Sequence, residues 1–233
     1  MSSPQAIVLV PGSVCDHQVW HHQMEHLAEV ADPLVPPIDD AETMAELAMG
    51  VLDAAPDRFA LAGFSMGGYV AQEMLRQAPH RITRLALLDT SARSDRVDKT
   101  ALREATITAC ETGAYPDVID QMMPVLLHPD RQQEPLADFV RKMMERIGAD
   151  VFARRNRAMM TRSDSRDMLA AIEVPVRIIC GRQDAMSSLD DHEEMARLAP
   201  QSRLSIIEEC GHMSIIERPH AVSALLRDWL LYD

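Results

Sequence analysis

A chain of 233 residues that is 47% hydrophobic has enough apolar material for one sizeable domain, or for one domain carrying a large insertion. Its 36 acidic against 23 basic residues leave a formal charge of −13, which excludes the basic footprint that nucleic-acid phosphates need. Cys15, Cys110, Cys180 and Cys210 lack metal-ligand spacing, and no window approaches a membrane span.

The first residues, Met1-Ser2-Ser3-Pro4-Gln5, carry no basic region, and the apolar run behind them is too short for a signal peptide. A soluble, reduced, cytoplasmic protein is expected, with no membrane or nucleic-acid partner. Residues 6–10 (AIVLV) run apolar without polar alternation and stop at Pro11-Gly12, which suits a strand covered on both faces of a parallel sheet. An amphipathic segment follows over 19–30, with Trp20, Met24 and Leu27 on one side and histidines and glutamates on the other. Residues 33–38 (PLVPPI) make a poor strand, confined by their prolines to an edge or an irregular path. Asp39 and Glu42 have capping-box spacing ahead of a helix over about 41–54, where Met44, Leu47, Val51 and Leu52 recur at helical spacing. A strand over 59–64 ends in Gly63-Phe64-Ser65-Met66-Gly67 and passes into a helix that stops near Pro79; residues 82–89 form the next strand. This alternation is the signature of an α/β fold with a parallel sheet.

From Arg93 to Glu173 the strand-like runs disappear. Helical patterns take over, with breaks expected at Gly113, Pro116, Pro124, Pro129, Pro135 and Gly148, and with methionines at 122, 123, 143, 144, 159, 160 and 168. After Pro175 the alternation resumes: a strand over 176–181, a helix over 188–198 capped by Ser188, a strand over 203–208, and a closing helix over 221–231 entered through Pro219. The expected organisation is a core over residues 1–92 and 174–233, interrupted by a helical insertion over 93–173.

Strand, tight turn and helix around Gly63-Phe64-Ser65-Met66-Gly67 is the context of a nucleophile elbow. Side chains at Gly63 and Gly67 would collide with neighbouring backbone in so tight a bend, and Ser65 is expected in an unfavourable backbone conformation. A serine hydroxyl needs a base, and the base needs a carboxylate to orient it. Parallel sheets gather function at the carboxyl ends of their strands. His212 follows the last strand and Asp184 the one before, so Ser65, Asp184 and His212 stand in the chain order of α/β-hydrolases. Asp89 also ends a strand and is the rival acid, equally suited to tying down the start of the insertion. The N–H of Met66 and that of Ser13, in the loop after the first strand, are the oxyanion donors chosen; Pro11-Gly12 reads equally as a plain turn. His17, His21, His22 and His26 read as a solvated face. His22 and His26 have a spacing able to hold a metal ion, but no acidic-histidine motif supports it, so no metal and no cofactor are expected. His80, His128 and His220 each adjoin a proline and read as turn residues.

With Val8-Leu9-Val10-Pro11-Gly12 and Trp20, Gly63-Phe64-Ser65-Met66-Gly67-Gly68, Gly181-Arg182-Gln183-Asp184 and Glu209-Cys210-Gly211-His212-Met213, the chain resembles the α/β-hydrolase superfamily over essentially its whole length. The likeness is to small bacterial serine esterases with a helical cap, including those acting on methyl esters of carrier-protein-bound acids. It implies a triad of Ser65, Asp184 and His212, oxyanion donors at Ser13 and Met66, about six parallel strands, and a pocket roofed by residues 93–173. Two departures stand out. Most relatives carry His-Gly where this chain has Pro11-Gly12, so a ring that braces that loop is missing, and the segment after Pro33 lacks the usual Asp-x-x-Gly-x-Gly turn. Arg154, Arg155, Arg157 and Arg162 read as a solvated helix face, with an acidic carrier as the other reading. The expected protein is a monomer or homodimer that hydrolyses a small carboxylic ester through an acyl-enzyme on Ser65. Carbon–carbon hydrolysis, lactone opening, perhydrolysis and ligand binding without catalysis remain open. Dehalogenase and epoxide-hydrolase chemistry is disfavoured, since relatives performing it have aspartate in place of Ser65.

Overall fold

The computed structural model describes residues 5–38, 41–133 and 135–233. The first apolar run becomes β1 (Gln5–Val10), with Ile7 to Val10 fully buried. A 3₁₀ turn, His17–Trp20, leads into α1 (His21–Leu27). This helix is shorter than the expected 19–30 because Val30 N–H closes a turn on the Leu27 carbonyl and the chain enters β2 (Ala31–Leu34). Pro33 lies in β2, which occupies one edge of the sheet.

α2 (Met44–Ala54) starts later than the expected residue 41. Its cap is Thr43, whose Oγ1 accepts the Glu46 N–H at 3.2 Å while donating to the Glu46 carboxylate at 2.7 Å. Asp39, expected as the cap, lies outside the described residues. β3 (Phe59–Phe64), α3 (Met66–Gln77) and β4 (Ile82–Leu88) follow as read. Between β4 and the next strand stand α4 (Val97–Glu111), α5 (Tyr115–Leu126), α6 (Leu136–Met160) and α7 (Arg166–Ala170). Gly113 separates α4 from α5 at φ 86°, and Gly148 kinks α6 at φ 75°. Pro124 does not break α5 as expected; it falls in the last turn, where it withdraws a single N–H. The chain closes with β5 (Val176–Gly181), α8 (Leu189–Leu198), β6 (Ser202–Ile207), α9 (Ser214–Glu217) and α10 (Pro219–Tyr232). Ser188 caps α8 in a full capping box with Asp191.

All pairings are parallel, in the order β2-β1-β3-β4-β5-β6. Alternate strand residues feed two buried clusters, which is why the strands read apolar throughout. Val8, Val10, Phe59 and Leu61 pack on α2 and α3 through Val51, Val70 and Met74. Ile7, Leu9, Ala62 and Phe64 face Trp20, Leu27 and Trp229, and their cluster continues into Val140, Met143, Met144 and Phe152 of α6. About a third of the buried core on that face is therefore supplied by residues 93–173. Among the described residues no helix is long and apolar enough to cross a membrane.

Candidate active site

Ser65 sits at the corner between β3 and α3 with φ 54° and ψ −118°, a conformation that L-residues avoid. The corner is tight enough that a Cβ on Gly63 would lie 2.2 Å from the Gly67 carbonyl oxygen, and one on Gly67 would lie 2.1 Å from that of Val10. A Cβ on Gly68 would strike Thr90. Ser65 is tied on both sides of its strain: its N–H donates to the Leu88 carbonyl at 2.9 Å, and its carbonyl accepts Thr90 Oγ1 at 2.8 Å.

The loops after β5 and β6 bring Asp184 and His212 to this corner. His212 Nε2 lies 2.9 Å from Ser65 Oγ, and Nδ1 lies 2.9 Å from both carboxylate oxygens of Asp184. The Asp184 Oδ1 atom also accepts the N–H groups of Met186 at 2.7 Å and Ser187 at 2.9 Å. Burial opposes the Asp184 charge, yet the His212 ring and these N–H donors outweigh it and hold the carboxyl below its ordinary value. Burial likewise opposes charge on His212, but Asp184 by charge and hydrogen bond, with Asp89 and Glu217 adding to it, holds the imidazole above its ordinary value. His212 and Asp184 are both buried and Ser65 is half-buried.

Asp89, the rival acid, is fully buried with φ 47° and faces elsewhere. Its Oδ1 accepts the Gly181 N–H at 3.0 Å and its Oδ2 accepts Ser214 Oγ. It thus joins β4 to the end of β5 and to the start of α9, not to the insertion. Burial first, and the nearby Asp184 second, push its carboxyl well above the ordinary range.

The loop carrying Ser13 presses against the corner: a Cβ on Gly12 would stand 3.3 Å from Ser65 Cβ. The brace that the Pro11-Gly12 departure leaves wanting comes from the insertion. Arg155 of α6, 2% exposed, donates through one guanidinium nitrogen to the carbonyls of Gly12 at 3.3 Å and of Ser13 and Cys15 at 2.9 Å. Arg155 and Arg162 are therefore not on a solvated face. Arg162 is also buried, pairs with Asp95 at 2.7 Å, and lies 3.9 Å over the Tyr69 ring. Arg157, paired with Glu42 and Glu111, is part-exposed as expected.

Two further groups escaped the sequence reading. His192 is wholly buried in α8; its Nδ1–H donates to the Ser188 carbonyl at 2.8 Å, so Nε2 accepts the Thr90 N–H at 3.0 Å. That contact steadies the residue that grips Ser65. Its signal in the sequence is its place one turn before Met195 on the buried face of an amphipathic helix. Glu217 of α9 accepts the N–H groups of His128 at 3.0 Å and Met213 at 3.2 Å, binding the His212 loop to the insertion. His220, expected in a turn, lies instead in the first turn of α10.

The thioesterase domain family model matches residues 21–230. Among curated proteins, a pimeloyl-[acyl-carrier protein] methyl ester esterase of Nitrosomonas europaea is 25% identical over 189 residues, covering 78% of this chain and 74% of that protein. A thermophilic esterase from Thermogutta terrifontis superposes with a TM-score of 0.89 at 27% identity, over 97% of this chain and 89% of that one. An enol-lactonase from Burkholderia xenovorans superposes at 0.88 with 22% identity, over 98% and 92%, a likeness of fold alone. A parallel sheet with a serine at its sharpest corner, and a family match running from α1 to α10, make this chain an α/β-hydrolase that belongs to the thioesterase domain family.

Proposed function

We propose that the chain is a serine carboxylesterase in which Ser65 is the nucleophile, His212 the general base and Asp184 the residue that orients and charges the base. The hydrogen-bonded run from Asp184 through His212 to Ser65, 2.9 Å at each step, carries this reading. As Ser65 Oγ bonds to the ester carbonyl carbon, its proton passes to His212 Nε2. The negative charge formed on the carbonyl oxygen is met by the N–H of Met66, the first residue of α3, and by that of Ser13. His212 returns the proton to the departing alkoxide, leaving an acyl group on Ser65. It then deprotonates a water that attacks the acyl carbon, and finally hands that proton back to Ser65 as the acid leaves. A thioester would follow the same path with a thiolate leaving group, which the family match favours as a companion substrate class. Residues 93–173 act as the cap over the acyl site, and the four free, buried cysteines fit a cytoplasmic location.

The test is turnover of short-chain aryl esters and acyl thioesters alongside fluorophosphonate labelling read by intact mass. Ser65→Ala is expected to lose the adduct and to lower kcat by at least about 10⁴-fold. An adduct or substantial turnover retained by Ser65→Ala ends the assignment.

A further inference from the structure

Helices α1 and α10 pack together and gather three histidines from opposite ends of the chain. His22 and His26 stand one turn apart on α1, their rings stacked with centroids 3.8 Å apart. His220 on α10 meets His22 edge-on, its Nδ1 3.2 Å from His22 Nε2. One ligand nitrogen from each of the three lies within 4.8 Å of the others.

Two of the three rings are held through one nitrogen. His22 Nδ1 sits 2.9 Å from Ser223 Oγ, and His26 Nδ1 donates to the His22 carbonyl at 2.8 Å. In metal sites a histidine is fixed through one nitrogen so that the other points at the ion. Here that leaves His22 Nε2 facing His220 Nδ1, and a rotation of the exposed His26 ring out of its stack on His22 turns its Nε2 toward the same ion. Metal–imidazole bonds of about 2.0–2.1 Å at tetrahedral angles put two ligand nitrogens about 3.3 Å apart. The 3.2 Å between His22 and His220 matches that separation. Glu25 borders the same surface cleft, as does Glu29, which is paired there with Arg227 at 3.0 Å, and the acidic chain favours a cation.

We propose that His22, His26 and His220 form a surface site for a divalent transition-metal ion of the Zn²⁺, Ni²⁺ and Cu²⁺ class, which staples α1 to α10. Imidazole nitrogens suit these ions over Mg²⁺ and Ca²⁺, which take oxygen ligands. Three nitrogens leave one tetrahedral position for water or a carboxylate. The site is separate from Ser65 and stands whether or not the chain hydrolyses esters.

The experiment uses the full chain without an affinity tag, titrated with Zn²⁺ by calorimetry and with Co²⁺ by visible absorption. The parent should bind one ion per chain here and gain thermal stability with Zn²⁺. His220→Ala and His26→Ala should each weaken binding about tenfold or more and remove the stabilisation. Metal-free ester turnover should not change in either variant, and His80→Ala should bind like the parent. Binding that stays at parental affinity in both His220→Ala and His26→Ala would put the ion elsewhere, for instance at Asp89, Asp184 and His192, and overturn the proposal. So would the absence of binding at millimolar zinc.

Discussion

Whether Ser65 attacks depends on the protonation of His212, and the surroundings of that ring give the dependence a sign. The ring accepts a proton only when neutral, and Asp184 holds it above its ordinary value of 6.5 despite burial. Activity is therefore present at high pH and is lost as pH falls through the raised value. Asp184, held below 3.8, stays ionised across that window. The acidic limb of kcat/KM is expected to have its midpoint above 6.5, and a midpoint below this would contradict the pairing. The two buried aspartates separate cleanly by substitution. Asp184→Asn removes the charge and disturbs the tautomer, at a cost in kcat of roughly 10⁴-fold. Asp89→Asn keeps an acceptor for Gly181 N–H and gains a donor toward Ser214, so kcat is expected to stay within a few-fold of the parent. Equal losses in both variants would return Asp89 to the triad. Ser65, Asp184 and His212 were legible because each follows a strand, and strand ends in a parallel sheet share one edge. His192 was not, because its partner Thr90 lies 102 residues away and belongs to no motif.

Elements carry the next layer, and Arg155 shows how far one of them reaches. The oxyanion role proposed for Ser13 asks for a fixed loop, and a single guanidinium from α6 holds the carbonyls of Gly12, Ser13 and Cys15. Arg155→Lys keeps the charge but loses the planar fork. It is expected to lower kcat about 10²-fold through loop displacement, with KM changed far less. A variant that raises KM alone would show that Arg155 touches substrate and does not position the loop. At the start of α2, Thr43→Ala should cost about 1 kcal/mol in chemical denaturation with activity unchanged. The strands were readable from their uninterrupted apolar runs. The α2 start was not, because Asp39, Asp40 and Thr43 all offer acceptors and glutamates follow at 42 and 46. Arg155 of α6 was misread for a related reason: charged residues recur along the helix, and the carbonyls that bury Arg155 lie at least 140 residues earlier.

The molecule as a whole has one continuous apolar body on the face of the sheet where the insertion packs. Ile7 and Leu9 of β1 share a cluster with Val140, Met143 and Phe152 of α6. An insertion with its own core could open independently; this one would expose the sheet in doing so. Thermal unfolding should therefore be a single transition, with the tryptophan signal of buried Trp20 and Trp229 and the mass-resolved labelling of Cys110 in α4 sharing a midpoint. Earlier labelling of Cys110 would reveal separate opening. The same intimacy reaches the triad. The N–H of Met213, next to His212, donates to the Leu126 carbonyl at 3.2 Å, and a Cβ on Gly211 would lie 2.5 Å from the His128 nitrogen. A chimera that exchanges residues 93–173 for the corresponding segment of a relative would thus replace part of the seat on which the base rests. Residues 93–173 are therefore no detachable module: exchanging them also exchanges contacts that hold the His212 loop.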